Sequence, residues 1–221
     1  MLAEEIVVKR GKSFSLSNQW IIKMSEKWRA IESRYLGKAT HTLLERHGSA
    51  VYTVKTLDQL DALWNHYIFD FVSLLPIDTP LFFYTPHYWF PAIRSTTEEE
   101  VTHSVTSKGY HWMQLAGKTT KLDVGLEKYF PQKEIEYFAA NVKELHNVTV
   151  LGDYIIDVAF DKKVRTFIDA WYEKNTVFTP ETISELNKAL KIPGTHKLKI
   201  SKNKKRAGEY RKLFAKYFVF K

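Results

Sequence analysis

Residues 56–75, TLDQLDALWNHYIFDFVSLL, carry the strongest structural signal in the sequence. Their apolar side chains recur at the three- and four-residue spacing of one helix face. Thr56 and Gln59 have the spacing of a capping box, which marks the start of a helix. An apolar helix face of this length needs a second layer to cover it. The segment therefore predicts a long helix packed on a sheet.

Segments rich in β-branched and aromatic residues are expected to form that sheet. Residues 42–54 break at Gly48 and predict a hairpin, and residues 101–115 turn near Gly109 and predict another, with 118–124 as a further strand. Gly152-Asp153 in the middle of residues 148–160 predicts a tight hairpin. Because hairpins pair neighbouring strands in opposite directions, we expect the sheet to be mostly antiparallel.

Further amphipathic helices are predicted around the sheet. The spacing predicts them over residues 18–35 behind Ser17, over 131–146 behind Pro131, and after the capping residues Asp161 and Thr179. The predicted fold class is α+β, a mostly antiparallel sheet packed by amphipathic helices, with a helical basic C-terminal part. We expect residues 1–160 to form the α+β core and residues 161–221 a basic helical module, with one continuous domain as the alternative.

The positive charge of the chain is concentrated near its C-terminal end. The sequence holds 33 Lys and Arg against 25 Asp and Glu, a net charge of +8, whereas residues 195–221 alone hold ten basic residues and one acid. A nearly neutral body with a cationic end is typical of a protein that binds nucleic acid, and we expect DNA rather than RNA. The expected phosphate-binding residues are Lys197, Lys199, Lys202, Lys204, Lys205, Arg206, Arg211, Lys212 and Lys216.

This basic end also carries an apolar stripe at helical spacing. Lys205, Lys212 and Lys216 fall on the side opposite the stripe. We therefore expect a helix that docks on the core and presents a fixed row of lysines, which suits a duplex groove or a structured strand. The stripe consists of Ala207, Tyr210, Leu213, Phe214, Tyr217 and Phe218.

The order of elements after Asp161 resembles that of the helix-turn-helix and winged-helix families. Two predicted helices are followed by a break at Pro193-Gly194, and the resemblance, over about 60 residues, implies DNA contact by the element after the break. Residues 197–200, Lys-Leu-Lys-Ile, alternate as a strand does, where those families would place a recognition helix. A wing strand, or a strand leading into the terminal helix, explains this alternation better.

An enzyme acting on nucleic acid is the alternative function, with its active site in the β-rich region. A metal-dependent nuclease needs carboxylates, usually with a lysine, around a divalent ion. Asp153, Asp157 and Lys163 are the candidates, and the order of Asp157 and Lys163 is similar to that of the PD-(D/E)xK nucleases, which would imply Mg²⁺ as cofactor. Restriction-type endonuclease and base-excising glycosylase activities both stay open. His103 is the candidate acid or base for metal-free chemistry.

Several other classes are excluded by what the sequence lacks. It contains no cysteine, which excludes disulfides, thiolate zinc sites and cysteine nucleophiles. No P-loop, dinucleotide-binding, zincin or esterase motif occurs. The acidic start of the chain and the lack of an 18-residue apolar stretch predict no signal peptide and no membrane span, so we expect a cytoplasmic protein. A homodimer is left open.

Overall fold

The computed structural model describes residues 7–10, 13–16, 44, 48–129, 135–142 and 146–218. The chain divides into two compact units, residues 1–47 and residues 48–221. In the first unit, β1 (Val7–Arg10) and β2 (Ser13–Leu16) pair as an antiparallel ribbon in which Val7 lies opposite Leu16. The helix predicted over residues 18–35 lies outside the described residues.

The second unit is built on a seven-stranded mixed sheet. In chain order its strands are β3 (Ser49–Val54), β4 (Pro80–Thr85), β5 (His111–Ala116), β6 (Ile135–Ala139), β7 (Asn147–Leu151), β8 (Tyr154–Ala159) and β9 (His196–Lys202). Across the sheet their order is β3-β9-β8-β7-β4-β5-β6. The pairs from β3 to β4 are antiparallel, and the pairs β4-β5 and β5-β6 are parallel. The predicted α+β class with a mostly antiparallel sheet is therefore confirmed.

Helices connect these strands and cover the sheet. In chain order they are α1 (Leu57–Val72), α2 (Phe90–Ile93), α3 (Ser95–Thr106), α4 (Lys121–Val124), α5 (Leu126–Tyr129), α6 (Lys162–Lys174), α7 (Pro180–Leu186) and α8 (Lys204–Phe214), with a 3₁₀ helix over Asn187–Lys191. The parallel strands β4, β5 and β6 are joined through helices because a parallel pair needs a crossover connection.

Helix α1 confirms the strongest prediction from the sequence. The Thr56 side chain accepts a hydrogen bond from the Gln59 backbone N–H at 3.3 Å, as a helix cap does. Leu60 and Phe71 on the apolar stripe are 1% and 0% exposed, and burying each such side chain contributes about 1.5–3 kcal/mol. The Trp64 indole N–H donates to the Thr149 hydroxyl on β7 at 2.9 Å, which fixes the helix on that face of the sheet.

The hairpin predicted over residues 148–160 and the helix caps that follow it are also confirmed. Strands β7 and β8 pair with Leu151 opposite Tyr154, and Gly152 in the turn has φ +59°, a conformation that glycine adopts without strain. The Asp161 side chain caps α6, and Thr179 with Thr182 forms a capping box at the start of α7. These signals depend on residues three or four positions apart, and the sequence alone was sufficient to find them.

Three segments differ from their predicted structure. Ser95–Thr106 forms α3, whereas a strand was predicted from Val101, and Val101 and Val105 are buried one helical turn apart. Lys121–Val124 is a short helix within the segment 118–124, which was predicted to be a strand. Ile135–Ala139 is a strand although a helix was predicted over 131–146, because pairing with β5 outweighs the helical spacing of its apolar residues.

Strand β3 corrects a fourth prediction. The sequence predicted a local hairpin over residues 42–54, whose first arm lies outside the described residues apart from Leu44, whereas its second arm, β3, pairs with β9, with Val51 opposite Lys199. Strand β9 lies between β3 and β8, so the C-terminal residues contribute to the same sheet as the middle of the chain. A separate functional role for residues 161–221 stays a prediction.

Candidate functional site

Strand β9 presents lysines on one face of the sheet. The burial of its side chains alternates along the strand: Leu198 and Ile200 are buried, and Lys197 and Lys199 are exposed. Lys199 lies directly opposite Asp157 on β8. Because directly opposed residues of antiparallel strands point to the same face, these lysines and Asp157 share one side of the sheet.

Helix α8 lies on that same side. The Arg206 guanidinium donates to both carboxylate oxygens of Asp157, each at 2.8 Å, and to the Tyr210 hydroxyl at 2.8 Å. Further along the helix, Arg211 donates to the Gly152 carbonyl and lies 3.6 Å from the Asp153 carboxylate. Two of the predicted phosphate-binding residues are therefore engaged within the protein, where they attach α8 to the β7-β8 hairpin.

The apolar side of α8 packs against the sheet as predicted. Ala207, Phe214 and Phe218 are buried in one cluster with residues of β4, β5, β7 and β8, and the ring centroids of Phe214 and Phe82 are 4.9 Å apart. The predicted stripe thus exists, although the regular helix ends at Phe214 and the last residues of the stripe follow it. Its lysines are consequently held on an ordered element.

The exposed lysines on the α8 side of the sheet form what we term the basic surface. Within the described part of the chain, none of them makes an ion pair. The first turn of α8, Lys204-Lys205-Arg206, contains no acid, although the helix dipole favours acids at that end. The basic surface consists of Lys197 and Lys199 on β9 and of Lys204, Lys205, Lys212 and Lys216 on α8 and the turn after it.

Lys202 differs from the other predicted phosphate-binding lysines. By strand alternation it lies on the sheet face opposite to Lys199. Its ammonium group stands 5.3 Å from the ring centroid of Tyr154, and that ring is stacked on Phe71 at 4.3 Å. Lys202 is therefore placed against an aromatic pair and apart from the basic surface.

The residues predicted for a nuclease site are not arranged around a metal position. Asp157 and Asp153 are engaged by Arg206 and Arg211, and Lys163 lies exposed in the first turn of α6. Across the described residues, no group of three or more His, Asp or Glu could hold a metal ion. Arg206 binds both carboxylate oxygens of Asp157, whereas Arg211 lies 3.6 Å from one oxygen of Asp153, so a role for this donor set in holding Mg²⁺ stays a prediction.

His103, the candidate for metal-free chemistry, lies exposed in the last turn of α3. The segment from Val101 was predicted to be a strand, but His103 lies on a helix that precedes the turn at Gly109. A role for His103 as an acid or base stays a prediction.

A cavity of about 390 Å³ lies where strands β4 and β5 end. Its walls come from the segments after these strands, from the start of β7, from the end of β8 and from α6. The carboxyl ends of parallel strands are a frequent place for ligands in sheets with helical crossovers. Sequence reasoning did not find this cavity, because no local spacing connects the segments that line it.

A buried histidine in the cavity wall is held between two carboxylates. His87 Nδ1 lies 3.0 Å from Asp123 Oδ2, and its Nε2 lies 3.3 Å from Asp169 Oδ1. Burial alone would lower the pKa of His87, but the hydrogen bonds to Asp123 and Asp169 outweigh burial and raise this pKa above its ordinary value. Each ring nitrogen thus faces a carboxylate oxygen, and these two contacts favour the cationic form of His87.

The hydrogen bond from His87 also lowers the pKa of Asp169 below its ordinary value, against the opposing effect of burial. Asp123 is fully buried and accepts further hydrogen bonds from the Thr120 hydroxyl and backbone N–H. The ring of Tyr172 stacks on His87 at 4.0 Å. Both ring nitrogens are thus occupied, which makes His87 a positioning residue for Asp169.

No protein-family model matches the sequence, and no curated protein matches it significantly. Among solved structures the chain is similar to TrmBL2, an archaeal chromatin protein whose structure shows a novel mode of DNA binding. The TM-score is 0.42 at 8% sequence identity, and the match covers 96% of this chain and 74% of that chain. A likeness of this degree carries no argument about function. Over the described residues, no helix has the length and apolar character needed to span a membrane.

Proposed function

We propose that this protein binds nucleic acid, with DNA as the preferred partner, through the basic surface on β9 and α8. The observation that carries the proposal is that six lysines are exposed on ordered elements without internal ion pairs in the described part of the chain. Because these lysines are all positively charged and form no ion pairs, they repel one another. The phosphates of a bound strand would relieve that repulsion.

Arg206 and Arg211 support this proposal indirectly. Each could have served as a phosphate ligand, but both are bound by carboxylates of the β7-β8 hairpin and hold α8 in place. The basic surface is then made of lysines, whose ammonium groups act as point charges and lack the planar fork of donors that arginine offers to a base edge. We expect affinity that depends strongly on salt and weakly on sequence.

The shape of the surface supports the choice of DNA in this proposal. An exposed helix with cationic residues fits the major groove of B-form DNA, which is wide enough to admit an α-helix. The major groove of A-form RNA is too deep and narrow for such an element. The helix α8 begins with two exposed lysines, and its N-terminal backbone N–H groups add a partial positive charge beside them.

We propose binding without cleavage because of the contacts that Asp153 and Asp157 make. Asp153 and Asp157 are engaged by arginines, and the described residues contain no cluster of His, Asp or Glu that could hold a metal ion; nuclease or glycosylase activity stays the alternative. A location inside the cell, as expected from the sequence, is part of the proposal.

Fluorescence anisotropy with a labelled DNA duplex tests the basic surface. The triple variant Lys199→Glu, Lys205→Glu, Lys212→Glu should weaken binding at least about tenfold and reduce the salt slope of log K by about 3. The matched control changes three exposed lysines elsewhere to glutamate, Lys108, Lys121 and Lys128, so that net charge falls equally. Equal losses in the two variants would show that only net charge matters, and an unchanged affinity of the first would overturn the proposal.

The same assay with an RNA duplex of matching sequence tests the choice of partner, and DNA should bind more tightly. Incubation of the protein with supercoiled plasmid, with and without Mg²⁺, tests for cleavage. If the protein still produces nicked or abasic DNA after purification to constant specific activity, that result would contradict binding alone and favour the enzyme alternative.

A further inference from the structure

The mouth of the cavity at the ends of β4 and β5 carries two cations near one carboxylate. Lys118 follows β5, and Arg165 and Asp169 stand one turn apart on α6. Lys118 and Arg165 are exposed, and neither is within ion-pair distance of a carboxylate in the described part of the chain. Both lie close enough to Asp169 to help lower its pKa, after the larger effect of the His87 hydrogen bond.

The charge of this mouth is therefore not balanced. Asp169 is already in contact with His87, which is shared with Asp123. Lys118 and Arg165 line the same cavity, and neither has a carboxylate of its own within ion-pair distance among the described residues. An anionic group in contact with both would balance their charge, and a lysine together with an arginine suits a phosphate.

Asn147, a buried residue of the cavity wall, has an acceptor atom that a ligand could satisfy. The side chain is only 5% exposed, and its Nδ2 donates to the Val158 carbonyl at 3.3 Å. Its Oδ1 accepts no hydrogen bond from any described residue. A buried acceptor without a donor costs about 1–3 kcal/mol. A ligand that brought an N–H or O–H group to this oxygen would recover that cost.

The lining combines these polar groups with apolar and aromatic surface. Trp89 and Phe160 meet edge to face with ring centroids 6.3 Å apart, and Val158 and Ile168 add aliphatic surface. The cavity volume of about 390 Å³ is in the range of pockets for small organic molecules. The aromatic pair offers a surface on which a ring can pack.

We propose that this cavity binds a phosphate monoester attached to a ring that carries hydrogen-bond donors, with the phosphate between Lys118 and Arg165 and a donor on Asn147 Oδ1. Nucleotides and sugar phosphates share this chemistry. His87 positions Asp169 at the mouth, where its carboxylate accepts from a hydroxyl of the ligand. This site shares no residue with the basic surface and does not depend on nucleic-acid binding.

Isothermal titration calorimetry on the full chain tests the proposal with AMP, glucose 6-phosphate, adenosine, glucose and inorganic phosphate. One of the two esters should bind at least about tenfold more tightly than its unphosphorylated parent and than inorganic phosphate. The ester that binds shows whether the ligand is a nucleotide or a sugar phosphate. Failure of both esters to bind, or equal binding of inorganic phosphate, would overturn the proposal.

Variants assign the binding to the cavity. The double variant Lys118→Ala, Arg165→Ala should weaken the bound ester at least about tenfold, since it removes both cations at the mouth. The matched control Lys162→Ala, Lys163→Ala removes two exposed cations from the same helix, outside the cavity lining, and should change affinity less than about twofold. Equal losses in the two double variants would contradict the assignment. The glutamate variant at Lys199, Lys205 and Lys212 should bind the ester normally, which separates this site from the nucleic-acid surface.

Discussion

At the scale of single residues, burial determines the charge of two neighbouring acids, Asp61 on α1 and Glu98 on α3. Glu98 is 7% exposed, and burial, reinforced by nearby Asp61, raises its pKa to about 8. Burial also raises the pKa of Asp61 to about 6, although Arg94 donates to its carboxylate at 2.7 Å and opposes the shift. Glu98 is accordingly protonated at neutral pH, and its nearest hydrogen-bonding group is the Tyr88 hydroxyl at 3.4 Å.

The variant Glu98→Gln should be more stable than the native protein at high pH. Glutamate ionises at 4.5 in the unfolded chain and at about 8 in the folded one. The folded state therefore binds more protons between these values, and stability falls as pH rises through that window. Glutamine does not titrate, so we expect a gain of about 4 kcal/mol at pH 8 and almost none at pH 4.5.

Urea unfolding at pH 5, 6, 7 and 8 measures this difference. Glu100→Gln is the control, because Glu100 is exposed on the same helix and its variant should follow the native pH dependence. Parallel stability curves for Glu98→Gln and the native protein would contradict the burial of an acid at this position.

Arg206 illustrates how a predicted binding residue acquires a structural role. Asp157 has a side chain 16% exposed and would lose both of its guanidinium hydrogen bonds in Arg206→Ala. We expect a loss of about 1–2 kcal/mol in the free energy of unfolding, moderated because the Arg206 side chain is 39% exposed. Lys205→Ala, one residue away and exposed, should change stability by less than about 0.5 kcal/mol in the same urea titration.

At the scale of elements, the predictions that succeeded are those whose signals are local. The caps at Thr56, Asp161 and Thr179 each involve a side chain and a backbone N–H a few residues away. The errors at α3 and β6 have the opposite origin. Their short apolar runs fit either a helix or a strand, and only pairing with β5 or burial beside it decides between the two.

Two glycine variants test element packing in opposite directions. Gly208→Ala lies inside α8, where the nearest atom to an added Cβ is Arg211 Nη2 at 3.9 Å, so it should stabilise by about 0.5–1 kcal/mol. Gly117→Ala would place its Cβ 1.9 Å from the Tyr84 hydroxyl oxygen at the end of β5, so it should destabilise by more than about 2 kcal/mol. Thermal unfolding of both variants measures the two shifts, and shifts of the same sign would contradict these contacts.

At the scale of the whole molecule, the basic C-terminal residues complete the core. The buried cluster joins Phe82, Val148 and Val150 of the sheet to Ala207 and Phe214 of α8. The surface that we propose to bind nucleic acid is thus built on an element whose other side is buried in the core. The lysines are ordered because the stripe beneath them is buried.

Removal of α8 should therefore disrupt the fold as well as binding. A chain that ends after Lys202 should lose cooperative urea unfolding, because it exposes the sheet face that the cluster covers. The milder variant Phe214→Ala should lower the free energy of unfolding by about 3–5 kcal/mol, since Phe214 is fully buried. Lys212→Ala on the exposed side is the control. Native-like unfolding of the shortened chain would show that the basic end is a dispensable appendage.

The sequence by itself determined the capped helices, the β7-β8 hairpin and the concentration of lysines near the C-terminal end, because these depend on composition and on neighbours within a few positions. Only the tertiary structure decided that β9 lies between β3 and β8, that Arg206 and Arg211 bind carboxylates of the hairpin, and that His87 meets Asp123 and Asp169. These contacts join residues far apart in the chain. Which partners meet depends on strand order and packing, and the burial and charge that determine their chemistry arise only after they meet.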